Sequence, residues 1–412
     1  MKVHLMGIGG TGVSSLAMVL AARGDNVSGC DARASATTEL LAQDGIPVAL
    51  GHDPEHARDI DLLVHSSAVS RDSPEPAAAR AAGIRVLTRA EMLADLIGAG
   101  DSIAISGTHG KTTTTHMLGQ VLTAAGFDPS VLVGDGLNTR GGGSSWLVAE
   151  ADESDGSLVL HHPKYAIVTN VELDHPDHFA DLAAVRAVFQ RFVSQVGELT
   201  VVCADDAEAM RLEVPGRRVT YGWDQGDYTP SRLGLALTVP GRHNLLNATG
   251  AAALALELGV SLNVVRKTLS TFSGAHRRME FLGTWKGARL YDDYGHHPTE
   301  VRATLQAARE LAPRRVILVF QPHRYSRLAG LLEEFAASFE GADEVIVTEV
   351  YSAGEEPIGV SGIDLAEKVP RARFAPHFDT VKDDLFSITQ AGDLVLFMGA
   401  GDIWKVAHEL AR

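Results

Sequence analysis

Short aliphatic runs alternate with stretches of helical period from one end of the chain to the other. Residues 2–6 (KVHLM) read as a strand, and 13–22 as a helix with an Ala, Leu and Met face. The same strand, turn and helix pattern returns at 102–106 followed by 112–125, and at 315–320 followed by 327–339. A period-2 or continuous apolar run feeding a period-3.6 run is the signature of a βα unit. Three such starts predict an α/β fold with mostly parallel sheets. A helical pattern ends in glycines at 98–101 (IGAGD), and a turn follows an Arg-rich segment at 282–287 (LGTWKG). These breaks predict three domains at 1–98, 99–281 and 282–412, with no repeat of fixed period among them.

Composition agrees. The chain has 412 residues, which is two to four ordinary cores. It is 45% hydrophobic and 21% charged with mean hydropathy near zero, a globular composition. The 41 glycines predict many tight turns between strands and helices. No apolar run is long enough to span a bilayer, so membrane insertion is not expected. The start (MKVHLMGIGG) has no apolar signal segment, so secretion is not expected either. Cys30 and Cys203 are too few for a disulfide scaffold or a tetra-thiolate zinc site, and each reads as a small buried hydrophobe in a reducing cytoplasm. With 36 basic against 52 acidic side chains the net charge is −16, which argues against nucleic acid as a partner. Small phosphorylated ligands remain open, because they need only a few local donors.

Two glycine-rich turns supply such donors. Gly7, Gly9, Gly10, Thr11 and Gly12 belong to GIGGTG between a strand and a helix, and Asp31 closes the next strand. Glycines there let a diphosphate approach the free N–H groups and positive dipole of a helix start. The pattern fits NAD and a UDP-sugar equally. In the middle of the chain, Gly107, Thr108, His109, Gly110, Lys111, Thr112 and Thr113 form a phosphate loop whose first glycine position is taken by Ile105. Its functional end is intact: Gly110 lets the backbone wrap phosphates, Lys111 reaches their oxygens, and Thr112 suits Mg²⁺. The acidic run from Glu150 to Asp155 ends a strand and suits magnesium. Residues 169–178 (TNVELDHPDH) follow another strand and place His175 among carboxylates, as a metal ligand or as a hydrogen-bonded loop residue.

The ordered motifs SGTHGKTTTT, EADESD, NVELDH, GRHNLLNA, HRR, DDYGHHPTEV, FQPHRYSR and VYSAGEEPI resemble the Mur ligase family across all three predicted domains. The resemblance implies a Rossmann-like UDP-binding domain, a P-loop ATPase-type domain and a C-terminal Rossmann-like domain. It implies a cytoplasmic ligase that uses ATP and Mg²⁺, as two ions, to join L-alanine to the lactyl carboxylate of UDP-N-acetylmuramate through an acyl phosphate. Its partners would be these small molecules, and the chain would be a monomer or homodimer. By the same resemblance, the 7–12 loop cradles the UDP diphosphate, with Asp31, Ser66, Ser67 and Ala68 around the nucleoside. Lys111 and Thr112 belong to the ATP loop, and Glu150 and His175 hold magnesium. His243, Asn244 and Asn247 correspond to the adenine pocket, Arg278 to the arginine before the third domain, and Asp293 to a ribose partner. His296, His323, Arg324 and Arg327 correspond to positions around the incoming amino acid. Arg324 and Arg327, three apart after a strand, would form a paired clamp on its carboxylate.

Two departures from family members stand out. No lysine occurs between Lys164 and Lys267, so the carbamylated lysine of several relatives is impossible here, as in the alanine-adding branch. The segment between Tyr221 and Pro240 is short. Three rival readings make different demands. A ligase recycling a tripeptide onto the same sugar nucleotide is disfavoured by HHPTEV and FQPHRYSR. A nicotinamide-dependent dehydrogenase leaves the phosphate loop and acidic clusters unexplained. A nucleotide-gated interaction module would bind ATP without substrate-stimulated phosphate release.

Overall fold

The structure is a computed structural model that describes residues 1–66, 68–70, 73–134, 138–154, 156–176 and 178–412. It contains three sheets, one in each expected domain. The first has five parallel strands, β1 (Lys2–Met6), β2 (Asn26–Asp31), β3 (Val48–Leu50), β4 (Leu62–His65) and β5 (Arg85–Thr88), in the order 3-2-1-4-5. The second has six, β6 (Ser102–Ser106), β7 (Ser130–Leu132), β8 (Leu147–Glu150), β9 (Tyr165–Val168), β10 (Leu199–Cys203) and β11 (Arg217–Tyr221), in the order 11-10-9-6-8-7. The third comprises β12 (Glu280–Trp285), β13 (Ala288–Asp293), β14 (Val316–Phe320), β15 (Glu344–Thr348), β16 (Arg373–Ala375) and β17 (Leu394–Met398), in the order 12-13-17-14-15-16. Only the β12–β13 hairpin is antiparallel there. The α/β class with parallel sheets is therefore as expected. β12 begins two residues before the boundary expected at 282, because Glu280 and Phe281 already pair with Asp292 and Tyr291 of β13.

The strand orders decide where ligands go. In an open parallel sheet the crevice lies outside the carboxyl ends, where the strand order reverses. In the first sheet that point is between β1 and β4, so the 7–12 loop and Ser66 share it. In the second, β6 lies between β8 and β9. The loop after β6, Glu150 at the end of β8 and the segment after β9 must then converge.

The chain forms two compact units: residues 1–172, 183–235 and 246–270, and residues 173–182, 236–245 and 271–412. The first two sheets belong to one unit because their cores are continuous. Leu16, Leu20 and Leu93 of the first domain pack in one buried cluster with Leu132, Leu147 and Ala149 of the second. Polar bonds add register: Ser15 Oγ donates to the Val133 carbonyl at 3.3 Å and accepts from Thr139 Oγ1 at 2.9 Å. In the second unit, β14 and β17 are apolar on both faces, with Leu318 and Leu396 in one core cluster and Ile317 and Val395 in the other. This is the pattern of a sheet covered by helices on both sides.

The helices expected at 13–22 and 112–125 run Thr11–Ala22 and Lys111–Ala124, and one expected helix is broken. The expected 327–339 helix is two, Tyr325–Gly330 and Leu332–Ser338, because Leu331 takes a non-helical φ of −129°. Residues 222–240 carry the short helix Pro230–Leu233 where a longer hairpin is expected in relatives. Among the described residues no helix is long and apolar enough to cross a membrane.

Candidate active site

The phosphate loop is built by β6 and the helix Lys111–Ala124, which starts at Gly110 in a left-handed conformation with φ 81°. The loop is fastened to the segment after β9. Thr108 N–H donates to the Asn170 carbonyl at 3.2 Å, and His109 N–H to Asn170 Oδ1 at 2.8 Å. Glu172 N–H in turn donates to Thr108 Oγ1 at 2.9 Å. Gly107 has no alternative at its position: φ is +141°, and a Cβ there would stand 1.9 Å from Thr169 Oγ1. Lys111 Nζ donates to the Gly107 and Thr108 carbonyls at 2.7 and 3.2 Å and pairs with Glu153 at 2.9 Å. Burial opposes its charge, but Glu153, Asp152 and Glu150 outweigh that and hold its pKa above the ordinary value.

Carboxylates gather around this ammonium. Glu150 accepts from Thr112 Oγ1 at 3.0 Å and from Gly134 N–H at 3.0 Å, and desolvation raises its pKa despite Lys111 nearby. Glu153 is 1% exposed, and its Oε1 has no hydrogen-bond partner. Burial pushes its pKa to about 7 against the pull of Lys111. Hard oxygen donors with an unsatisfied lone pair suit a divalent cation such as Mg²⁺. Glu153 lies within the acidic run that the sequence points to, but its burial beneath Lys111 is visible only in three dimensions. Thr113 is buried on the helix, and Asn247 Oδ1 packs where a Cβ on Gly110 would come within 2.5 Å.

The first glycine loop faces the same region. Gly10, Thr11, Gly12, Ser66 and Arg89 line a cavity of about 310 Å³ together with Glu150, Asp152, Ser157 and His161. Arg89, Ser157 and His161 escape sequence reading, since Arg89 follows β5 while Ser157 and His161 start and cap a 3-10 helix after β8, two segments far apart in the chain. Arg89 had one signal: it opens a helix directly after β5, at the carboxyl edge of the sheet. Its aliphatic stem lies over Gly12, where a Cβ would meet Arg89 Cδ at 2.8 Å. Asp31 shapes the loop itself, because its Oδ2 accepts from Gly9 N–H at 2.9 Å. Ser66 packs on Gly7, and its Oγ accepts from Ala68 N–H at 3.2 Å. Ser67, Asp155 and Asp177 lie outside the described residues.

The second unit holds the remaining candidates. His175 has φ 54°, a strained value for a side chain with a Cβ, and its N–H donates to Asp174 Oδ1 at 2.7 Å. The expected paired clamp of Arg324 and Arg327 is corrected here. Arg327 is 1% exposed, with Nε donating to Asp174 Oδ1 at 2.8 Å and Nη1 lying 3.2 Å from His323 Nδ1. It is a buried ion pair and not an open anion site. Arg324 differs. It is partly exposed, pairs with Glu355 at 3.5 Å, and is held at φ 70° and ψ 134°. Such backbone costs roughly 1–3 kcal/mol and tends to occur where function requires it.

Asp293, expected as a ribose partner, serves the backbone in this structure. It is buried, and both oxygens are taken at 2.8 Å, by Met279 and Gly295 N–H groups. It fastens the turn before Glu300, and burial lifts its pKa to about 6. Arg278 stacks on Tyr294, 5.5 Å from its ring centre, and reaches Glu300 at 3.2 Å. Asn244 Nδ2 donates to the Pro240 carbonyl at 2.7 Å.

Three histidines of this unit are held neutral. Burial, aided by Arg327, lowers His296 to about 3 and His323 to about 4, and burial with Arg278 lowers His243 to about 4. Their folded values lie below the unfolded value near 6.5, so between those limits the unfolded chain binds more protons. Stability is then lost as pH falls from about 6.5 towards 4. Each ring costs up to roughly 2 kcal/mol at pH 5. Denaturant unfolding is expected to show a clearly lower midpoint at pH 5 than at pH 7; equal midpoints would contradict these assignments.

Comparisons with known proteins agree with this geometry. Residues 2–100 match the Mur ligase family catalytic domain, 105–255 the Mur ligase middle domain, and 277–401 the Mur ligase glutamate ligase domain. A UDP-N-acetylmuramate–L-alanine ligase of Symbiobacterium thermophilum is 44% identical over 455 aligned positions, covering 100% of this chain and 94% of that protein. Its counterpart from Solidesulfovibrio magneticus is 42% identical, covering 99% and 97%. The crystal structure of a UDP-N-acetylmuramate-alanine ligase from Thermotoga maritima matches 100% of this chain and 98% of its own, with a TM-score of 0.80 and 30% identity. A murein peptide ligase from Psychrobacter arcticus shares the fold at a TM-score of 0.67 and 24% identity, covering 100% and 98%. With all three domains matched and full-length relatives above 40% identity, the chain belongs to the Mur ligase family.

Proposed function

We propose that the chain joins L-alanine to the lactyl carboxylate of UDP-N-acetylmuramate, converting ATP to ADP and phosphate. The observation that carries this reading is the cavity shared by the glycine loop and the acidic cluster beside Lys111. A UDP diphosphate on the 7–12 helix start would extend its sugar towards Glu150. The full-length relatives named for this reaction support the substrate assignment.

The chemistry follows from the donors. A carboxylate is a poor acyl donor, because its oxyanion cannot leave. Phosphorylation by the γ-phosphoryl group of ATP makes an acyl phosphate, and attack by the amine of alanine then expels phosphate. Lys111 offsets the phosphate charge, and the 107–113 backbone cradles the phosphates. Mg²⁺ held by Thr112, Glu150 and Glu153, with His175 as a candidate for a second ion, supplies further charge neutralisation when bound. Arg89 suits the UDP-sugar phosphates, and Arg324 the carboxylate of alanine. Asn247, packed on Gly110, belongs with the nucleotide, while His296 and His323, kept neutral, suit proton handling at the amine.

The direct test is phosphate release from ATP with each substrate omitted in turn. Release requiring both UDP-N-acetylmuramate and L-alanine is expected; release driven by a tripeptide in place of alanine, or by neither, overturns the proposal. Metal dependence gives a second check. Glu150→Gln and His175→Ala are each expected to raise the Mg²⁺ concentration for half-maximal rate at least tenfold, about 1.4 kcal/mol. An unchanged Mg²⁺ titration in both variants would return these residues to loop packing.

A further inference from the structure

Beneath the first sheet, away from the ligase chemistry, lies a buried cluster of metal-type donors. Cys30 comes from β2, His4 from β1, His52 and His56 from the turn around the 3-10 helix Pro54–Ala57, and Glu75 from the helix Pro74–Ala81. One ligand atom from each of His4, Cys30, His56 and Glu75 lies within 4.8 Å of every other. Glu75 Oε1 stands 2.6 Å from His56 Nδ1 and 3.4 Å from Cys30 Sγ, and Oε2 stands 3.2 Å from His52 Nδ1. Cys30 Sγ is 3.4 Å from His52 Nδ1. A tetrahedral ion with bonds of about 2.0–2.3 Å sets its ligands roughly 3.3–3.7 Å apart; the Cys30–Glu75 spacing of 3.4 Å already matches an edge of such a shell, and the 2.6 Å contact between His56 and Glu75 would open to admit the ion.

Hydrogen bonding alone leaves the cluster incomplete. His4 is 4% exposed, and its Nδ1 lies 2.9 Å from Ser28 Oγ, while Nε2 is buried with no partner. Glu75 is 0% exposed; its Oε1 accepts from Asp53 N–H at 3.0 Å, but its ion-pair partners are two imidazoles, which carry charge only when protonated. A buried carboxylate without a permanent positive partner and an orphaned imidazole nitrogen are both costly. One divalent cation answers both costs at once. A thiol, imidazoles and one carboxylate form a borderline-soft set that selects zinc over magnesium.

We infer that His4, Cys30, His56 and Glu75 form a structural zinc site in the first domain, with His52 beside it. Binding displaces one proton from the Cys30 thiol to solvent and leaves a zinc–thiolate bond. The ion would lock β1 and β2 to the turn and helix below them. It would also brace the glycine loop, since the Cys30 carbonyl accepts from the Gly7 and Ile8 N–H groups at 2.9 and 3.1 Å. The donors span 4 to 75 in sequence with no paired spacing, so no metal motif is legible in the chain.

The test uses the full chain, dialysed against chelator and titrated with Co²⁺ and then Zn²⁺ in excess Mg²⁺, which keeps the ATP-site carboxylates occupied. One Co²⁺ per chain with a thiolate-to-cobalt charge-transfer band is expected, displaced by one equivalent of Zn²⁺. Cys30→Ser should abolish the band and weaken Zn²⁺ binding at least tenfold, while Cys203→Ser changes neither. A wild-type chain without the band, or a band that survives in Cys30→Ser, overturns the site. Should Cys30→Ser not fold, His4→Gln keeps the thiol and is expected to weaken Zn²⁺ at least tenfold; unaltered affinity there is equally fatal.

Discussion

Lys111→Ala is expected to lower kcat/KM more than a thousandfold, about 4 kcal/mol of transition-state stabilisation, while the chain stays folded. The ammonium sits at the junction of the Gly107 and Thr108 carbonyls and Glu153, aimed by backbone as well as by charge. A flexible surface lysine could not substitute for it, because its side chain would have to be ordered during the reaction. Folding survives because Glu153, whose pKa already stands near 7, can take a proton and remain buried as a neutral acid once the lysine is gone. Initial rates with all three substrates, beside a thermal unfolding curve, provide the check. A variant retaining more than about a tenth of kcat/KM would remove Lys111 from the chemistry.

That lysine was legible in the sequence because its loop is contiguous. Gly110, Lys111 and Thr112 carry their meaning within one turn, and the strand before them and helix after them have unambiguous periods. The same holds for β1 and the 7–12 loop. What could not be read depends on sheet order. Arg89, which follows β5 of the first sheet, and Ser157 and His161, which follow β8 of the second, line one cavity although they belong to different domains. The helix break at Leu331 was hidden because both halves keep an apolar face, Leu328 on one side and Phe335 on the other. The arginine clamp failed for a related reason. A spacing of three suggests side chains on one helical face, yet the helix begins at Tyr325, so Arg324 precedes it in a strained conformation and points its charge at Glu355. Arg327 finds its partner 153 residues earlier, and no local pattern announces that pairing.

The two arginines should therefore respond to substitution in opposite ways. Arg327→Met leaves the Asp174 carboxylate buried without its cation, and removing one partner of a buried ion pair costs about 3–5 kcal/mol. Burial alone would raise the Asp174 pKa, yet the Arg327 guanidinium holds it far below the usual carboxylate range, which marks how strongly the two charges are coupled. The double variant Arg327→Met with Asp174→Leu should recover part of that loss, since a well-packed apolar pair needs no compensation. Arg324→Ala removes only a partly exposed pair worth about 1 kcal/mol or less, and the same change relaxes no buried charge. Its effect falls on substrate instead: a KM for alanine at least tenfold higher, about 1.4 kcal/mol, with the KM for ATP little changed. Denaturant unfolding of all three variants, combined with alanine kinetics of Arg324→Ala, separates the roles. An Arg327→Met chain as stable as the wild type would remove the buried pair as a structural element, and an Arg324→Ala enzyme with unchanged alanine KM would move the carboxylate site elsewhere.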